Sequence, residues 1–385
     1  MSPVALSRRV GGLQPSPIRE ILAAIDRPGM VSFAGGLPDP ETFCDLDLGV
    51  IPRNFLQYGP TEGEMPLREQ IASELCAIGL HCATDQILVL SGSQQGIDLV
   101  AKLFIDPGTP VLVESPTYLA ALQVFCFFGA SLVEIHPGER SPATGDAAHF
   151  AYVIPTFQNP TGHCYTLAER ESFARACDEA RTPVFEDDPY RDLAYDSCDR
   201  IPVSSLLRRS SWVYQGSFSK TLAPGLRLGF LAASRDLVEP LRRLKQAADL
   251  HSNRVSQWLV LRHLRDAGRP DRLATLQLCY REKRDAFGRL LEEHWSDIAN
   301  WRVPAGGLFF WVQLKFLVDT RHLLPLALDR GIAFMPGEPF FADSSGPRGA
   351  LRLNFSHTSK ESAERGLRDL ADLLRSSHAG NRPTE

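Results

Sequence analysis

The feature that most constrains the fold of this chain is an alternation of short apolar runs and helical patterns that begins near residue 86. Six of the runs are rich in β-branched or apolar residues: DQILVL, TPVLVE, HFAYVI, TPVFED, SWVYQG and LRLGFLAAS. This alternation predicts a mostly parallel sheet covered by helices. One of the helices, over residues 166–181, begins with Thr166 and Glu169 at the spacing of a capping box.

The pattern changes after about residue 270 and predicts a smaller α+β domain, with a long helix, two strands around FFWVQL and LRLNFS, and a final helix. Thr358 and Glu361 are the predicted start signals of the final helix, whose apolar face carries Ala363, Leu367, Leu370, Ala371 and Leu374. The predicted organisation is an N-terminal arm with the helix PIREILAAI over 1–45, a large domain over 46–270, a small domain over 271–375 and a disordered polar tail over 376–385.

Composition narrows the class of protein. The 385 residues carry a formal net charge of -5, which gives no basic excess for binding nucleic acid. The N-terminus lacks the apolar segment of a signal peptide, and the runs ALQVFCFFGA and AGGLFFWVQL are too short to span a bilayer. The eight cysteines contain no C-x-x-C pair, which favours reduced thiols over a metal site. We therefore expect a cytoplasmic protein without a metal, a membrane or a nucleic acid partner.

Polar and aromatic residues follow several predicted strands, at the edge where an open α/β sheet forms a crevice. After DQILVL, the Gly/Ser turn of SGSQQGID leads into a helix, so backbone N–H groups near Ser93 and Gln94 would bind a phosphate. After TPVLVE, the ring of Tyr118 could stack on a planar ligand. Taken singly, each feature is also compatible with an ordinary turn or with a ring packed at a sheet edge.

The next two strand ends carry an amide and three carboxylates. Asn159 precedes Pro160, which keeps it out of the helical region and holds its amide in a rigid turn. Glu186, Asp187 and Asp188 would repel one another and lose hydration unless a cation lay nearby. A turn without function explains the first pattern equally well, and a solvated acidic turn explains the second.

The stretch GSFSKTLAPGLRLG follows the strand SWVYQG and carries two cations. Lys220 lies between Ser217 and Ser219, and Arg227 is predicted to begin the next strand. A lysine at a dry strand end beside a second cation has a lowered pKa and can attack a carbonyl group. The alternative is a lysine that reaches solvent from a turn.

Together these strand ends provide phosphate donors, a stacking ring, an amide, a carboxylate and an amine, which is the set of partners that pyridoxal 5'-phosphate needs. The order of QYGPTEG, SGSQQGID, FQNPTG, EDDPY, SFSKTLAPGLRLG and LRLNFS resembles the fold type I, class I/II aminotransferases, and most closely the subgroup of 2-aminoadipate and kynurenine aminotransferases. The resemblance covers residues 14–375. It implies an α/β fold whose large domain has a mostly parallel, seven-stranded sheet with helices on both faces, plus a smaller α+β domain.

Carried over residue by residue, the resemblance also implies the site. Lys220 would form the Schiff base with the cofactor and move the proton, with Asp187, the first residue of D-x-x-Y, on the ring nitrogen. The other implied contacts are Tyr190 and Asn159 at the phenolic oxygen, Tyr118 on the ring, Ser93, Gln94, Ser217, Ser219 and Arg227 at the phosphate, and Arg352 and Asn159 at the substrate.

Three further residues concern assembly and substrate closure. Tyr58 resembles the tyrosine that reaches the phosphate of the neighbouring subunit, which implies a homodimer with shared active sites. Arg19 and Gly36 resemble N-terminal elements that close over the substrate; without the resemblance, Arg19 would be read as a solvated helix residue. The stretch PGERSPATGDAAHF is shorter than usual in the family, which leaves substrate preference open.

The implied activity moves an amino group from an L-amino acid to a 2-oxo acid, with 2-oxoglutarate as the expected acceptor and ping-pong kinetics. The donor stays open between acidic, aromatic and aliphatic amino acids. The same site could support a lyase, a decarboxylase or a racemase, because the cofactor ring is the electron sink in all of them. A third alternative is a non-catalytic sensor domain of a transcription regulator, which the absence of a basic face disfavours.

Overall fold

The computed structural model describes residues 4, 6–11, 29–44, 46, 49–136, 149–343 and 346–380. The predicted helix PIREILAAI, which contains Arg19, and most of the stretch PGERSPATGDAAHF lie outside the described residues. In chain order, the strands are β1 (Val31–Ser32), β2 (Ile87–Leu90), β3 (Pro110–Glu114), β4 (Ser131–Ile135), β5 (Phe150–Val153), β6 (Val184–Asp187), β7 (Trp212–Ser217), β8 (Gly229–Ala233), β9 (Ala299–Trp301), β10 (Phe309–Leu314), β11 (Ile332–Ala333), β12 (Met335–Pro336) and β13 (Ala350–Asn354).

The helices of the described residues alternate with the strands through the first two thirds of the chain. They are α1 (Arg8–Gly11), α2 (Met65–Ala77), α3 (Ser93–Phe104), α4 (Leu119–Phe128), α5 (Leu167–Ala180), α6 (Val203–Leu206), α7 (Arg235–Asp249), α8 (Arg254–Arg265), α9 (Arg269–Trp295), α10 (Thr320–Asp329) and α11 (Lys360–Gly380). Within this described part of the chain, no helix is both long and apolar enough to cross a membrane.

A seven-stranded sheet with the order β2-β8-β7-β6-β5-β3-β4 forms the centre of the molecule. Strands β3 to β7 run parallel to one another, whereas β8 is antiparallel to both of its neighbours, β7 and β2. Successive side chains enter different cores: Leu88 packs in the cluster that contains Ile97 of α3, and Val89 packs with Ile71 of α2. The predicted α/β fold with helices on both faces is confirmed.

The seventh strand was not among the six predicted from the sequence. It is β4, which lies at the edge of the sheet and pairs only with β3 among the described strands. Four of its five residues are exposed or half-buried, so its sequence SLVEI lacks the continuous apolar run of a buried strand. The edge position therefore explains why the pattern did not identify it.

The chain after residue 269 builds a second layer around the antiparallel sheet β12-β13-β10-β9. Its core contains Phe310 and Leu353 from the sheet, Phe287 from α9 and Leu367 from α11. The indole Nε1 of Trp295 donates to the carbonyl oxygen of Leu367 over 3.0 Å, which joins the two helices. The N-terminal stretch belongs to this layer as well, because β1 pairs with β11.

One of the two predicted helix starts is confirmed. At α5, the Glu169 N–H donates to Thr166 Oγ1 over 3.3 Å and the Thr166 N–H donates to Glu169 Oε2 over 2.7 Å, which is the expected capping box.

The predicted start of α11 is wrong by one residue. This helix begins at Lys360, and the Ser362 N–H donates to Ser359 Oγ over 3.2 Å. The Thr358 hydroxyl is buried and has no hydrogen-bond partner among the described residues. Serine and threonine are both good N-cap residues, so the sequence pattern alone does not distinguish Ser359 from Thr358 as the cap.

The C-terminal helix is longer than predicted. It continues to Gly380, so residues 376–380 are helical although they belong to the segment that was expected to be disordered. Ser376 Oγ donates to the Asp372 carbonyl over 2.8 Å within the last turns. The apolar face that was predicted for this helix is buried, with Leu367, Leu370 and Leu374 fully inaccessible to solvent.

The capping box of α5 gives a stability prediction. Thr166→Ala removes the acceptor of the Glu169 N–H, and the free energy of unfolding should fall by about 1 kcal/mol. Urea denaturation measures the change. Thr275→Ala in α9 is the matched control, because the Thr275 hydroxyl donates to the Asp271 carbonyl and caps no free N–H. Equal losses in both variants would contradict the proposed capping role.

Candidate active site

The three neighbouring carboxylates at the end of β6 have different partners. Glu186 accepts hydrogen bonds from the backbone N–H groups of Val203 and Ser204 on one side of the strand. Asp188, on the same side, accepts from Arg191 over 3.1 Å. Asp187 points to the opposite side, as alternate residues of a strand do. Only Asp187 is therefore left to serve a ligand at the crevice.

The Asp187 carboxylate is buried and held by two neutral donors. The Tyr152 hydroxyl donates to Oδ2 over 2.8 Å, and the Gln215 amide Nε2 donates to Oδ1 over 2.9 Å. No lysine or arginine of the described chain segments is hydrogen-bonded to Asp187 in the structure. Burial raises the pKa of Asp187 to about 6, against the lowering effect of the two hydrogen bonds. Such a carboxylate would be stabilised by a cation placed beside it.

Lys220 lies in a desolvated environment beside the ring of Tyr190. Its Nζ donates to the Gly36 carbonyl oxygen over 2.8 Å and lies 5.9 Å from the centre of the Tyr190 ring. Burial, together with the positive charges of Arg352 and Arg227, lowers the pKa of Lys220 to about 8. Near neutral pH, a much larger fraction of this amine than of an ordinary lysine is therefore uncharged and able to attack a carbonyl carbon.

Arg352 is the buried cation on the small-domain side of the crevice. Its Nη1 donates to Asn159 Oδ1 over 2.9 Å, and its Nη2 donates to the Ala34 carbonyl over 2.5 Å. The guanidinium lies 4.3 Å from the ring centre of Phe309 and 5.1 Å from that of Phe340. Its Nε is buried and has no partner within the part of the chain that the structure describes, so the group has a donor left for a carboxylate.

Asn159 connects this arginine to the ring of Tyr190. Its oxygen accepts from Arg352, and a hydrogen bond from its amide lowers the pKa of Tyr190, although burial raises that pKa more. Both residues are nearly inaccessible to solvent. The predicted partners of the phenolic oxygen and of the substrate carboxylate are thus brought together in one hydrogen-bonded group.

Two of the predicted phosphate residues, Ser93 and Arg227, lie together at the first turn of α3. A Cβ atom on Gly92, just before this helix, would lie 2.6 Å from Arg227 Nη2, so the guanidinium rests directly against the glycine. Ser93 begins the helix. The Gln95 N–H already donates to the Gly92 carbonyl over 3.1 Å, so the N–H groups of Ser93 and Gln94 are the ones that the start of a helix leaves without an intrahelical partner. Ser217 ends β7, and its Oγ accepts from the Ser219 N–H over 3.2 Å.

The predicted position of Arg227 in the fold was wrong. It does not begin a strand but has left-handed backbone angles, φ 48 and ψ 49, and β8 begins two residues later at Gly229. A Cβ atom on Gly229 would lie 3.1 Å from the Ser93 backbone nitrogen. The glycine thus allows the helix terminus to approach the sheet, and the turn before it directs Arg227 to that terminus.

Of the other predicted residues, some lie near the site in the structure and others do not. Tyr118 precedes α4, and its pKa, which burial raises, also responds to Asp187, Arg352 and Arg227, so it belongs to the group. Gln94 is exposed in the first turn of α3. Tyr58 is 76% exposed and contacts the ring of His251 at 5.8 Å, away from the other site residues of its own chain. Arg19 lies outside the described residues.

Sequence reasoning missed the two donors that hold Asp187. Gln215 is the only polar side chain between Trp212 and Gly216 other than the hydroxyl of Tyr214, and a glutamine inside a predicted buried strand was a usable signal. Tyr152 gave a weaker signal, because a tyrosine fits the apolar run HFAYVI. The backbone carbonyls of Ala34 and Gly36 gave none, since a carbonyl group is present in every residue.

The arrangement fits pyridoxal 5'-phosphate group by group. The buried Asp187 lacks a cation and suits a protonated ring nitrogen, while Lys220 supplies an amine for the aldehyde. The open turn of α3 and Arg227 together suit a phosphate dianion. No cluster of metal-binding side chains is present where the chain is described. The fold and the site thus define a pyridoxal 5'-phosphate-dependent enzyme of fold type I.

Comparison with known proteins gives the family. The family model of aminotransferase class I and II matches residues 50–370, and the chain belongs to this family. It is 36% identical to a 2-aminoadipate transaminase of Thermus thermophilus over 390 residues, which cover 96% of each chain. The chain is an aminotransferase, and pyridoxal 5'-phosphate is its cofactor.

Two solved structures are similar over nearly their whole length. The kynurenine aminotransferase of Pyrococcus horikoshii has a TM-score of 0.89 and 31% identity, with 97% of both chains covered. The α-aminoadipate aminotransferase LysN of Thermus thermophilus, complexed with N-(5'-phosphopyridoxyl)-L-leucine, has a TM-score of 0.84 and 34% identity, with 97% of this chain and 98% of that chain covered.

The environment of Lys220 gives a prediction for the cofactor-free protein. Only the neutral amine reacts with acetic anhydride, so acetylation of Lys220 should rise with pH and level off above about 8. Free Nα-acetyl-lysine in the same tube should continue to rise toward its ordinary pKa of roughly 10.4. Short labelling pulses followed by peptide mass spectrometry measure both profiles. A Lys220 profile that coincides with the free amino acid would contradict the desolvated site.

Proposed function

We propose that this aminotransferase moves the amino group of an L-amino acid to a 2-oxo acid, with 2-oxoglutarate as the acceptor, in two half-reactions at one site. The observation that carries the proposal is the shared enclosure of a partly neutral Lys220 amine and a buried Arg352 with an unused donor. The amine is the group that a proton transfer requires, and the guanidinium is the group that a substrate α-carboxylate requires.

The cofactor would be held by residues from several strands, helix starts and turns along one edge of the central sheet. Asp187 would face its ring nitrogen, Tyr190 and Asn159 its phenolic oxygen, and Tyr118 its ring. The phosphate contacts would come from the first turn of α3 with Ser93 and Gln94, from Ser217 and Ser219, and from Arg227. When bound, the cofactor supplies an electron sink that acidifies the Cα–H bond of an attached amino acid.

Lys220 is proposed to carry the proton. With substrate bound, its Nζ would accept the proton from the substrate Cα and return it within the same site. The low polarity around Nζ supports this role because it keeps the pKa close to the working pH, where a group both accepts and donates protons efficiently.

Arg352 would bind and orient the substrate through its α-carboxylate. Phe309 and Phe340 hold the guanidinium from two sides, and Asn159 fixes one of its nitrogens. A carboxylate in this place would gain a charge-assisted contact in a dry environment, where such contacts are stronger than in water. The arrangement would direct the Cα–H bond toward Lys220 and limit the reaction to α-amino acids.

We also propose a homodimer with shared sites in the cytoplasm. The exposed ring of Tyr58 and the neighbouring Phe55, His251 and Arg254 line an open cavity of about 480 Å³ on the surface. Large exposed aromatic groups in a cavity favour an interface over a solvated surface. The eight cysteines are all free thiols, which supports a reducing location.

The decisive experiment compares half-reactions of two variants. Purified holoenzyme is mixed with each L-amino acid, and the loss of the cofactor's aldehyde-state absorbance and the appearance of a 2-oxo acid are followed. We expect stoichiometric 2-oxo acid from the wild type and no turnover from Lys220→Ala. Lys102→Ala, at a half-exposed surface lysine paired with Asp98, should behave as wild type.

The alternatives are separated by the products. A lyase would eliminate a side-chain group, a decarboxylase would release carbon dioxide, and a racemase would return the D-amino acid, none of them with conversion of the cofactor to its amine form. Parallel lines in double-reciprocal plots with varied 2-oxoglutarate would support the ping-pong order. Near-normal turnover of Lys220→Ala would overturn the assignment of the catalytic amine.

The preference for an acidic or an apolar donor is proposed to depend on Arg19. Arg352 and Arg227 are assigned to the α-carboxylate and the phosphate, so a second carboxylate on the substrate needs another cation. Arg19→Ala should lower kcat/KM for glutamate and 2-aminoadipate by roughly tenfold or more, the usual effect of losing a charged hydrogen bond. Leucine and phenylalanine should be affected much less. Equal losses for glutamate and leucine would exclude a role for Arg19 in side-chain recognition.

A further inference from the structure

Three adjacent strands bring Gln215, Asp187 and Tyr152 into one hydrogen-bonded row. Asp187 on β6 is paired in register with Gln215 on β7, and Tyr152 lies on β5. Each carboxylate oxygen receives one neutral donor, at 2.9 Å from Gln215 and 2.8 Å from Tyr152. All three side chains are at least 97% buried. The carboxylate therefore cannot rotate without breaking one of the two bonds.

The side chain of Gln215 is unfavourable for the stability of the folded protein. Its Nε2 is bonded to Asp187, but its Oε1 is buried and has no hydrogen-bond partner among the described residues. An unpaired amide oxygen in the interior destabilises the folded state, and an apolar side chain of similar length would not. The stability of the sheet therefore does not explain why a glutamine occupies this position.

Gly96 is a second residue that is unfavourable for stability, and the presence of Gln215 explains it. The glycine lies inside α3, where alanine would be the better helix former. A Cβ atom at this position would lie 1.8 Å from Gln215 Oε1 and 2.9 Å from Leu90 Cδ1. The missing side chain leaves the gap in the helix surface that the glutamine amide fills.

We propose that Gln215 and Tyr152 are positioning residues that keep the Asp187 carboxylate ionised and aimed at the ring nitrogen of the cofactor, and that Gly96 exists to admit Gln215. The inference rests on the role proposed above for Asp187. Hydrogen bonds from neutral donors stabilise a carboxylate and not its protonated form. A carboxylate that stays charged keeps the ring nitrogen protonated, and with it the electron sink.

The groups around Asp187 determine the pH range in which losing the Gln215 hydrogen bond would change its ionisation. Burial raises its pKa to about 6 and the charge of Asp188 adds to the rise, whereas Gln215 and Tyr152 oppose it. The other titratable groups that face it, Tyr118 and Tyr190, have pKa values raised by burial and stay neutral at physiological pH. Loss of the Gln215 donor should therefore raise the pKa of Asp187 further and protonate it closer to neutral pH.

The test is the affinity for pyridoxal 5'-phosphate of wild type and Gln215→Met between pH 9 and pH 6. Both forms have an ionised Asp187 at pH 9, so their dissociation constants should be similar. As the pH falls, the variant protonates first, and its relative affinity should drop by about tenfold for each unit by which its pKa is raised. The ¹⁵N chemical shift of the bound ring nitrogen should show less protonation in the variant at pH 7.

Thermal stability separates positioning from packing. The cofactor-free Gln215→Met protein should melt at or above the wild-type temperature, because the unpaired oxygen is removed. A variant that melts lower and loses affinity by one constant factor at all pH values would overturn the proposal. Asp187→Asn separates a failure of the role proposed for Asp187 from a failure of the present inference. If Asp187→Asn leaves cofactor affinity unchanged, the role proposed for Asp187 is wrong. If it weakens binding while Gln215→Met does not, only the positioning role of Gln215 is wrong.

Gly96 is tested with a matched glycine. Gly96→Ala should reproduce the pH-dependent loss of affinity, although Gln215 is still present, because the new methyl group displaces its amide. Gly288→Ala, in α9, should leave the affinity unchanged, since its Cβ would meet only Phe310 at an ordinary 3.6 Å. In a Gln215→Ala background, Gly96→Ala should add nothing to the loss of affinity. Additive effects in this pair would contradict the assigned role of Gly96.

Discussion

The burial of a single carboxylate, Asp187, determines much of what surrounds it. The end of a central parallel strand is dry because helices cover both faces of the sheet, so an ionised group there is costly unless it is solvated by the protein. Two neutral donors reduce that cost without neutralising the charge. What remains is a negative site that a positively charged ring nitrogen can complete. Glu186 and Asp188, although adjacent, accept their hydrogen bonds on the other side of the strand and do not compete.

Much of the fold and of the site could be predicted from the sequence, because strand ends and helix starts are local patterns. Asp187 ends a predicted strand, Asn159 and Lys220 follow two others, and all three lie near the ring of Tyr190 in the structure. The parts that could not be predicted depend on contacts between distant segments. The pairing of Asp187 with Gln215 requires the register of two strands, and the edge strand β4 lacks the apolar run that marks a buried strand.

The errors at chain ends have the same physical origin. Thr358 and Ser359 are equivalent as caps in a pattern, and only the path of the backbone decides that Ser359 accepts the bond. The polar composition of residues 376–380 predicts disorder, yet these residues continue a helix whose earlier turns are anchored by Leu370 and Leu374. Packing of an amphipathic face outweighs weak local propensity once the helix is nucleated.

The N-terminal stretch explains how two buried cations are tolerated when their hydrogen-bond acceptors in the described chain are neutral. The Ala34 and Gly36 carbonyls accept from Arg352 and Lys220, and β1 holds this stretch against the small domain. Carbonyl oxygens are neutral acceptors, so they lower the cost of desolvating a cation but leave its charge available. A substrate carboxylate or a cofactor aldehyde therefore exchanges a neutral contact for a stronger one and does not have to break an ion pair. Ligand binding is therefore more favourable here than at a site where the same cations would first have to leave a salt bridge with the protein.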